Sequence, residues 1–319
     1  METVAVIIPN YNGQKYLSDC LKSLRKQSFR DFKVIMVDNG SSDGSLSLVK
    51  RDFPEVQIIG LSENTGFANA VNVGIKETTA KYVFLLNNDT VCEEGVIEAL
   101  VNILDKRKSV FSVQAKMLQF KEPHLIDDAG DYYCALGWAF APSKDKDNSR
   151  YSRRVNVTSA CAGAAMYRRE VFEEIGYFDE AHFCYLEDVD VGYRARLYGY
   201  DNVMEPGAIV YHVGSGSSGS RHNAFKVELT AANNLYFIYK NMNAIQVIIN
   251  LPLFLAGVII KHVFYMRKGL GKAHLRGLSK GISKIITNSD KRVRFGGRQI
   301  ANSLRMQLEL WANCVRRLQ

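Results

Sequence analysis

Short β-branched runs alternate with amphipathic stretches through the first third of this chain, and that alternation narrows the fold before any single residue is considered. Val4-Ala5-Val6-Ile7-Ile8 stops at Pro9, Lys33–Val37 stops at a polar turn, and Val56–Ile59 and Tyr82–Leu86 repeat the theme. Leu17, Cys20, Leu21 and Leu24 recur at helical spacing, so 14–27 is expected to be helix. Further helices are expected over 44–52, capped by Ser42 or Asp43, over 66–79 and over 94–105, with a strand over 110–114. Strands separated by helices build a mostly parallel sheet covered on both faces, and such sheets take ligands beyond the carboxyl ends of their strands. Asn10-Tyr11-Asn12, Asp38 and Asp89 all fall at such ends.

The second half is less regular. Residues 120–158 are polar and read as an irregular excursion near an acceptor. A buried strand is expected over 160–167, a short helix over 169–175, a helix over 187–197 and a strand over 202–211. A Gly/Ser loop at 214–219 follows, and the sequence reads as helical from Ala224 onward. The 319 residues suit one α/β domain over 1–240, with a donor half of about 1–115 and an acceptor half of about 116–240. A helical extension over 241–319 completes the chain.

Charge is unevenly spread. From Lys261 onward lie 14 of the 41 Lys and Arg but only 2 of the 33 acids, leaving 27 basic against 31 acidic residues before it. A basic tail seeks polyanions. It lacks interleaved aromatics, so nucleic acid is not the expected partner. The apolar run Ile245–Ile260, interrupted by Gln246, Asn250 and Pro252, is read either as lying in an anionic membrane surface or as a core helix, the first being favoured by the cationic helices behind it. Six cysteines without a CxxC pair, and no stretch long enough for a signal peptide, place the chain in the cytoplasm, held peripherally at the inner membrane face.

Two acidic clusters carry the chemistry. Asn87-Asn88-Asp89 follows a buried strand, where a carboxylate can hold a divalent cation. Glu187-Asp188-Val189-Asp190 opens a helix, where a carboxylate can serve as a base; repulsion from Glu187 and Asp190 is expected to raise the pKa of Asp188. Asp190 is expected to pair with Arg194 one turn on. Asp38 either accepts a hydrogen bond from a nucleobase imide or serves as a turn residue, and Tyr11 either stacks on the base or packs. Asn64-Thr65-Gly66 opens a helix whose amides either face a diphosphate or simply form a turn.

Ile7-Ile8-Pro9-Asn10-Tyr11-Asn12, Val37-Asp38-Asn39-Gly40-Ser41-Ser42-Asp43-Gly44-Ser45, Asn64-Thr65-Gly66-Phe67, Asn87-Asn88-Asp89 and Glu187-Asp188-Val189-Asp190 occur in the order found in family 2 glycosyltransferases, which this sequence resembles over about 3–240. The resemblance is nearest to the bacterial rhamnosyltransferase-like branch that builds surface polysaccharide. It implies a GT-A fold and an inverting, metal-dependent transfer from a nucleoside diphosphate sugar, with dTDP-rhamnose favoured and UDP-sugars open, to a glycan or polyprenyl-linked glycan. It also implies roles: Asp188 as general base; Pro9, Tyr11, Asn12, Asp38, Asn64, Gly66 and Asn88 at the donor; Glu187 at the acceptor; Asp89 with His212 on Mg²⁺ or Mn²⁺. From the residues alone, Trp138 is read either as packing on a sugar or lipid acceptor or as buried in the core, and Arg221 and His222 as a lid that could close over the diphosphate. Many relatives carry an Arg after the motif at Asn64, where this chain has Ala68, Asn69, Ala70 and Val71. The absence of QxxRW separates it from processive synthases, and GxxxxGK[ST] is also missing. A nucleotidyltransferase, a non-catalytic polyanion-binding module and a homo-oligomeric state stay open.

Overall fold

The computed structural model describes residues 2–214 and 223–318. In chain order its elements are β1 (Val4–Asn10), α1 (Gln14–Arg25), β2 (Phe32–Asp38), α2 (Ser45–Asp52), β3 (Gln57–Gly60), α3 (Phe67–Lys76), β4 (Tyr82–Leu86), β5 (Thr90–Cys92), α4 (Val96–Lys106) and β6 (Val110–Gln119). Then come β7 (Ile126–Asp128), β8 (Tyr132–Cys134), β9 (Trp138–Phe140), β10 (Val155–Val157), β11 (Ala164–Arg168), α5 (Val171–Ile175), α6 (Glu187–Leu197), β12 (Asp201–His212), α7 (Ala224–Asn241), α8 (Ala244–Arg267), α9 (Gly271–Thr287) and α10 (Gly297–Arg316).

The main sheet runs β10-β12-β6-β11-β4-β1-β2-β3. The N-terminal strands β3, β2, β1 and β4 are parallel, as are β6 and β12, whereas β11 enters antiparallel between β4 and β6. Period two does the sorting within each strand. Val4, Val6 and Ile8 of β1 join the core under α1 and α4, while Ala5 and Ile7 join the core under α3 and α6. Pro9 is tolerated because β4 pairs with β1 only as far as Ile7, so no ladder partner on that side needs its missing N–H.

Two expectations need correction. Residues 120–158 are not simply irregular: they hold β7, the β8–β9 hairpin and β10, three-residue strands too short to show a period. The strand expected over 160–167 begins at Ala164, because 160–163 turns to meet the carboxyl end of β4, where the Asn87 amide donates to the Gly163 carbonyl.

Residues beyond 240 share a core with the α/β domain. Tyr133, Val189, Tyr193 and Phe237 pack with Phe254, Met306 and Leu310. The Asp190 carboxylate, fully buried on α6, accepts from Arg194, from Lys240 at 3.0 Å and from Asn241 at 2.7 Å. Lys240 also donates to Asp179, which takes Lys291 from beyond α9 at 3.0 Å. The pairing of Asp190 with Arg194 is as the sequence predicts, and the network ties it to the extension as well.

α8 is 24 residues long and apolar enough to cross a membrane by length and composition. It is not a core helix. Its buried residues are Gln246, Asn250, Phe254 and Gly257, on one inward stripe, and its leucines and isoleucines look outward.

Candidate active site

Asn10 and Asp38 are register partners at the ends of β1 and β2. Asn10 donates its amide to Asp38 Oδ1 at 2.8 Å, and its carbonyl oxygen accepts from Asn88 Nδ2 at 2.7 Å. The second Asp38 oxygen accepts from the Ser41 amide at 3.0 Å. Asp38 is 1 % exposed, with one oxygen bonded to Asn10 and the other to the amide of the turn that follows it. Asn88 likewise points into this network. Asn12, with a positive φ of 51°, accepts from the Ser42 amide and clamps the two loops together. Tyr11, next to Asn10, is 42 % exposed.

The start of α3 is not an open row of amides. The Thr65 amide donates to Asn39 Oδ1, the Gly66 amide to Asn64 Oδ1 and the Ala68 amide to the Phe183 carbonyl. Three amides around the start of the helix are thus already taken by the protein, and those of Phe67 and Asn69 are not among them. Gly66 is required there: its φ is +90°, and a Cβ would lie 2.5 Å from the Phe183 oxygen. Asn39, unassigned from the sequence, holds this joint with its amide as well, donating to Asn64 and to the Gly66 carbonyl.

Asp89 and His212 are brought together by the ladder of β5 with β12, in which Thr90 pairs with His212. His212 Nε2 lies 3.2 Å from Asp89 Oδ1, and its Nδ1 lies 2.6 Å from Asp127 Oδ2. Burial pulls the imidazolium down, but its bonds to Asp127 and Asp89 outweigh that and hold its pKa at about 9. A carboxylate oxygen and an imidazole nitrogen, with the other ring nitrogen fixed by a second carboxylate, suit a divalent cation. Asp127 was not assigned from the sequence. It lies in the stretch read as irregular, and Lys144 braces it at 2.5 Å.

Asp188 opens α6. Its Oδ1 accepts from the Val189 amide at 2.8 Å and its Oδ2 from the Ala162 amide at 3.4 Å. Ala162 neighbours Gly163, which holds Asn87, so one short loop connects the two acidic clusters. Burial raises Asp188 to about 6 against those two amide bonds, with Asp128 adding charge repulsion. Repulsion between Glu187 and Asp188 is as expected, but Asp190 is neutralised by Arg194 and Lys240, and a further repelling carboxylate, Asp128, comes from β7. Asp128, Asp131 and Cys161 form a partly buried group with ligand atoms within 4.8 Å of one another, and burial pushes both carboxyls up. A thiol in that set does not suit a hard cation; the group walls the base with acid. The Glu187 carboxyl is buried and raised well above its usual range by burial and by Asp188, and its Oε2 has no hydrogen-bond partner among the described residues.

Trp138 lies apart, on the β8–β9 hairpin, where its indole N–H donates to the Gly257 carbonyl of α8 at 3.2 Å. Arg221 and His222 lie outside the described residues.

The Glycosyl transferase family 2 profile matches residues 5–176, more than half of the chain. The N-acetylglucosaminyl-diphospho-decaprenol L-rhamnosyltransferase of Mycobacterium tuberculosis is 27% identical over 248 residues, covering 68% of this chain and 78% of that protein. Among solved structures, Staphylococcus aureus TarS residues 1–349 in complex with UDP-GlcNAc match with a TM-score of 0.61 and 18% identity, over 97% of this chain and 89% of that one. GalNAc-T7 with UDP, GalNAc and Mn²⁺ matches with a TM-score of 0.61 and 15% identity, over 75% of this chain; this chain spans about half (48%) of that one. The chain belongs to glycosyl transferase family 2 and is a glycosyltransferase enzyme of the GT-A fold.

Proposed function

We propose that this enzyme moves a sugar, with inversion, from a nucleoside diphosphate sugar to a hydroxyl of a lipid-linked glycan at the cytoplasmic membrane face, in the building of a surface polysaccharide. The observation that carries the reading is Asp188. It is a base raised to about 6, beside the partnerless Glu187 oxygen and one loop away from the Asp89–His212 pair. The nucleotide lies across the ends of β1 and β2, with Tyr11 on the base face and the Asn10–Asp38–Asn88 network shaping the floor, and Pro9, Asn12, Asn64 and Gly66 fixing the loops around it. Glu187 orients the acceptor hydroxyl. Asp188 takes its proton as the oxygen bonds to the anomeric carbon and the bond to the diphosphate breaks; one base suffices, and no covalent sugar–enzyme intermediate forms.

Asp89 and His212, braced by Asp127, would hold Mg²⁺ or Mn²⁺, which neutralises charge on the departing nucleoside diphosphate. The mycobacterial relative, named for a rhamnosyl transfer to a decaprenyl diphosphate sugar, supports a rhamnosyl donor, for which we propose dTDP-rhamnose, and a polyprenyl-linked acceptor. The test is nucleoside diphosphate release from UDP-, dTDP- and GDP-sugars with Mg²⁺ or Mn²⁺. Metal-dependent release from one donor, abolished by Asp89→Ala, is expected. Pyrophosphate as the product, or no donor binding by calorimetry, would overturn the reading.

A further inference from the structure

The β8–β9 hairpin ends in a cavity of about 200 Å³ closed by α7, α8 and α9. Its walls are mostly aliphatic and aromatic, including Trp138, Ile238, Leu251, Phe254 and Leu255, and they carry the cation Lys261. The Lys261 ammonium lies 5.5 Å from the centre of the Trp138 ring. Two more cations lie along the same hairpin: Arg316 at 4.3 Å from the Tyr132 ring and Arg317 at 5.7 Å from the Phe140 ring. No acid pairs with Lys261 or Arg317 among the described residues, and Glu309, the acid beside Tyr132, is taken by Arg196 at 2.5 Å. A cation without counter-charge in the wall of an apolar cavity, with Arg317 near enough to repel it, fits a ligand that is anionic at one end and hydrocarbon at the other.

Two connections run from this cavity to the base. The hairpin starts at Asp131, in the acidic wall of Asp188, so its turn lies about 16 Å away at strand spacing. Tyr133 donates its hydroxyl to Asn234 of the cavity wall, while the adjacent Asn233 holds the carbonyls of His182, Cys184 and Tyr185, just before Glu187. The cavity also opens beside the outward apolar face of α8, where Ile248, Leu251 and Leu255 are exposed.

We infer that this cavity is the subsite for the isoprenoid diphosphate end of the acceptor. Lys261 and Arg317 hold the phosphates, Trp138 and the α8 wall line the first isoprene units, and the sugar lies toward Glu187. The inference rests on the lipid-linked acceptor proposed above and specifies where its lipid end sits. It gives Trp138 a place on the acceptor at the lipid end.

The test uses the full chain and three probes by calorimetry: farnesyl diphosphate, farnesol and inorganic pyrophosphate. Farnesyl diphosphate is expected to bind at least about tenfold more tightly than either half-ligand. Lys261→Gln is expected to weaken it about tenfold while leaving farnesol unchanged, with Lys261→Arg restoring it. Quenching of Trp138 fluorescence in Trp311→Phe protein gives the same comparison without touching Lys261. Equal binding of farnesol and farnesyl diphosphate, or an unaltered Lys261→Gln, would overturn the inference. So would displacement of farnesyl diphosphate by short-chain phosphatidylglycerol at equal concentration, which would make this an ordinary lipid-docking surface. Nucleoside diphosphate release without acceptor separates the two readings. Donor turnover without farnesyl diphosphate binding removes the subsite alone, and binding without any donor turnover removes the proposed function alone.

Discussion

Asn250 on α8 and Gln307 on α10 exchange two amide hydrogen bonds, of 2.8 and 3.0 Å, inside the protein. Trp311 Nε1 adds a third, to Asn250, at 3.0 Å. Both helices thus turn amides inward beside Phe254, Met306 and Leu310, while Ile248, Ile259, Leu304 and Leu308 face out. An apolar face of this extent, flanked by Lys and Arg, fits an anionic lipid interface.

Ile248→Asp combined with Leu304→Asp should lower partition onto phosphatidylglycerol vesicles more than about tenfold. Both side chains are well exposed, 69% and 60%, so unfolding free energy should change by less than about 1 kcal/mol. Co-sedimentation of the double variant at the wild-type level would remove the membrane assignment. Point changes are the clean test, since deleting the extension would also strip Lys291 from Asp179 and Leu310 from the core.

As the proposed base, Asp188 should set the acid limb of activity. Its carboxylate must be free to take a proton, so kcat/KM should fall as pH drops through about 6. A carboxyl raised on folding costs stability once it is ionised: the penalty is absent below its unfolded pKa and complete above about 6. Asp188→Asn should therefore lose at least about a hundredfold in transfer while gaining about 1–3 kcal/mol at pH 8. A flat profile between pH 5 and 7 would point to a different base.

Asp127→Asn keeps the size of the side chain but removes the charge that fixes His212 Nδ1. Mn²⁺ affinity should weaken about 10- to 100-fold, read from the metal dependence of nucleoside diphosphate release or from direct Mn²⁺ titration. Unaltered affinity would show that Asp127 plays no part in the metal site.

Lys240→Met leaves Asp179 and Asp190 with one cation fewer in a buried network. The expected loss is about 3–5 kcal/mol in urea unfolding, because a partner is removed from a buried charge. A loss below about 1 kcal/mol would mean that Arg194 and Lys291 alone satisfy both acids.

The parallel strands and the helices between them were legible because β-branched runs and helical spacing are local signals. The sequence also pointed to Asp89, His212 and Asp188, and the structure brings the first two together. The supporting shell was not legible. Asp127, Asp128 and Asp131 sit in and beside β7, a three-residue strand with no period of its own. Asn39 works through bonds to residues 25–27 positions away, which no local pattern announces. Gln246 and Asn250 looked like interruptions of an apolar run, although their spacing of four already placed them on one face of a helix.

The buried charges joining α6 to α7 and to Lys291 leave little slack between the outward face of the C-terminal helices and the base. Were that face seated on a bilayer, the height of Asp188 above it would be set by the fold, and the reach of a surface-bound acceptor would decide which of its hydroxyls arrives there.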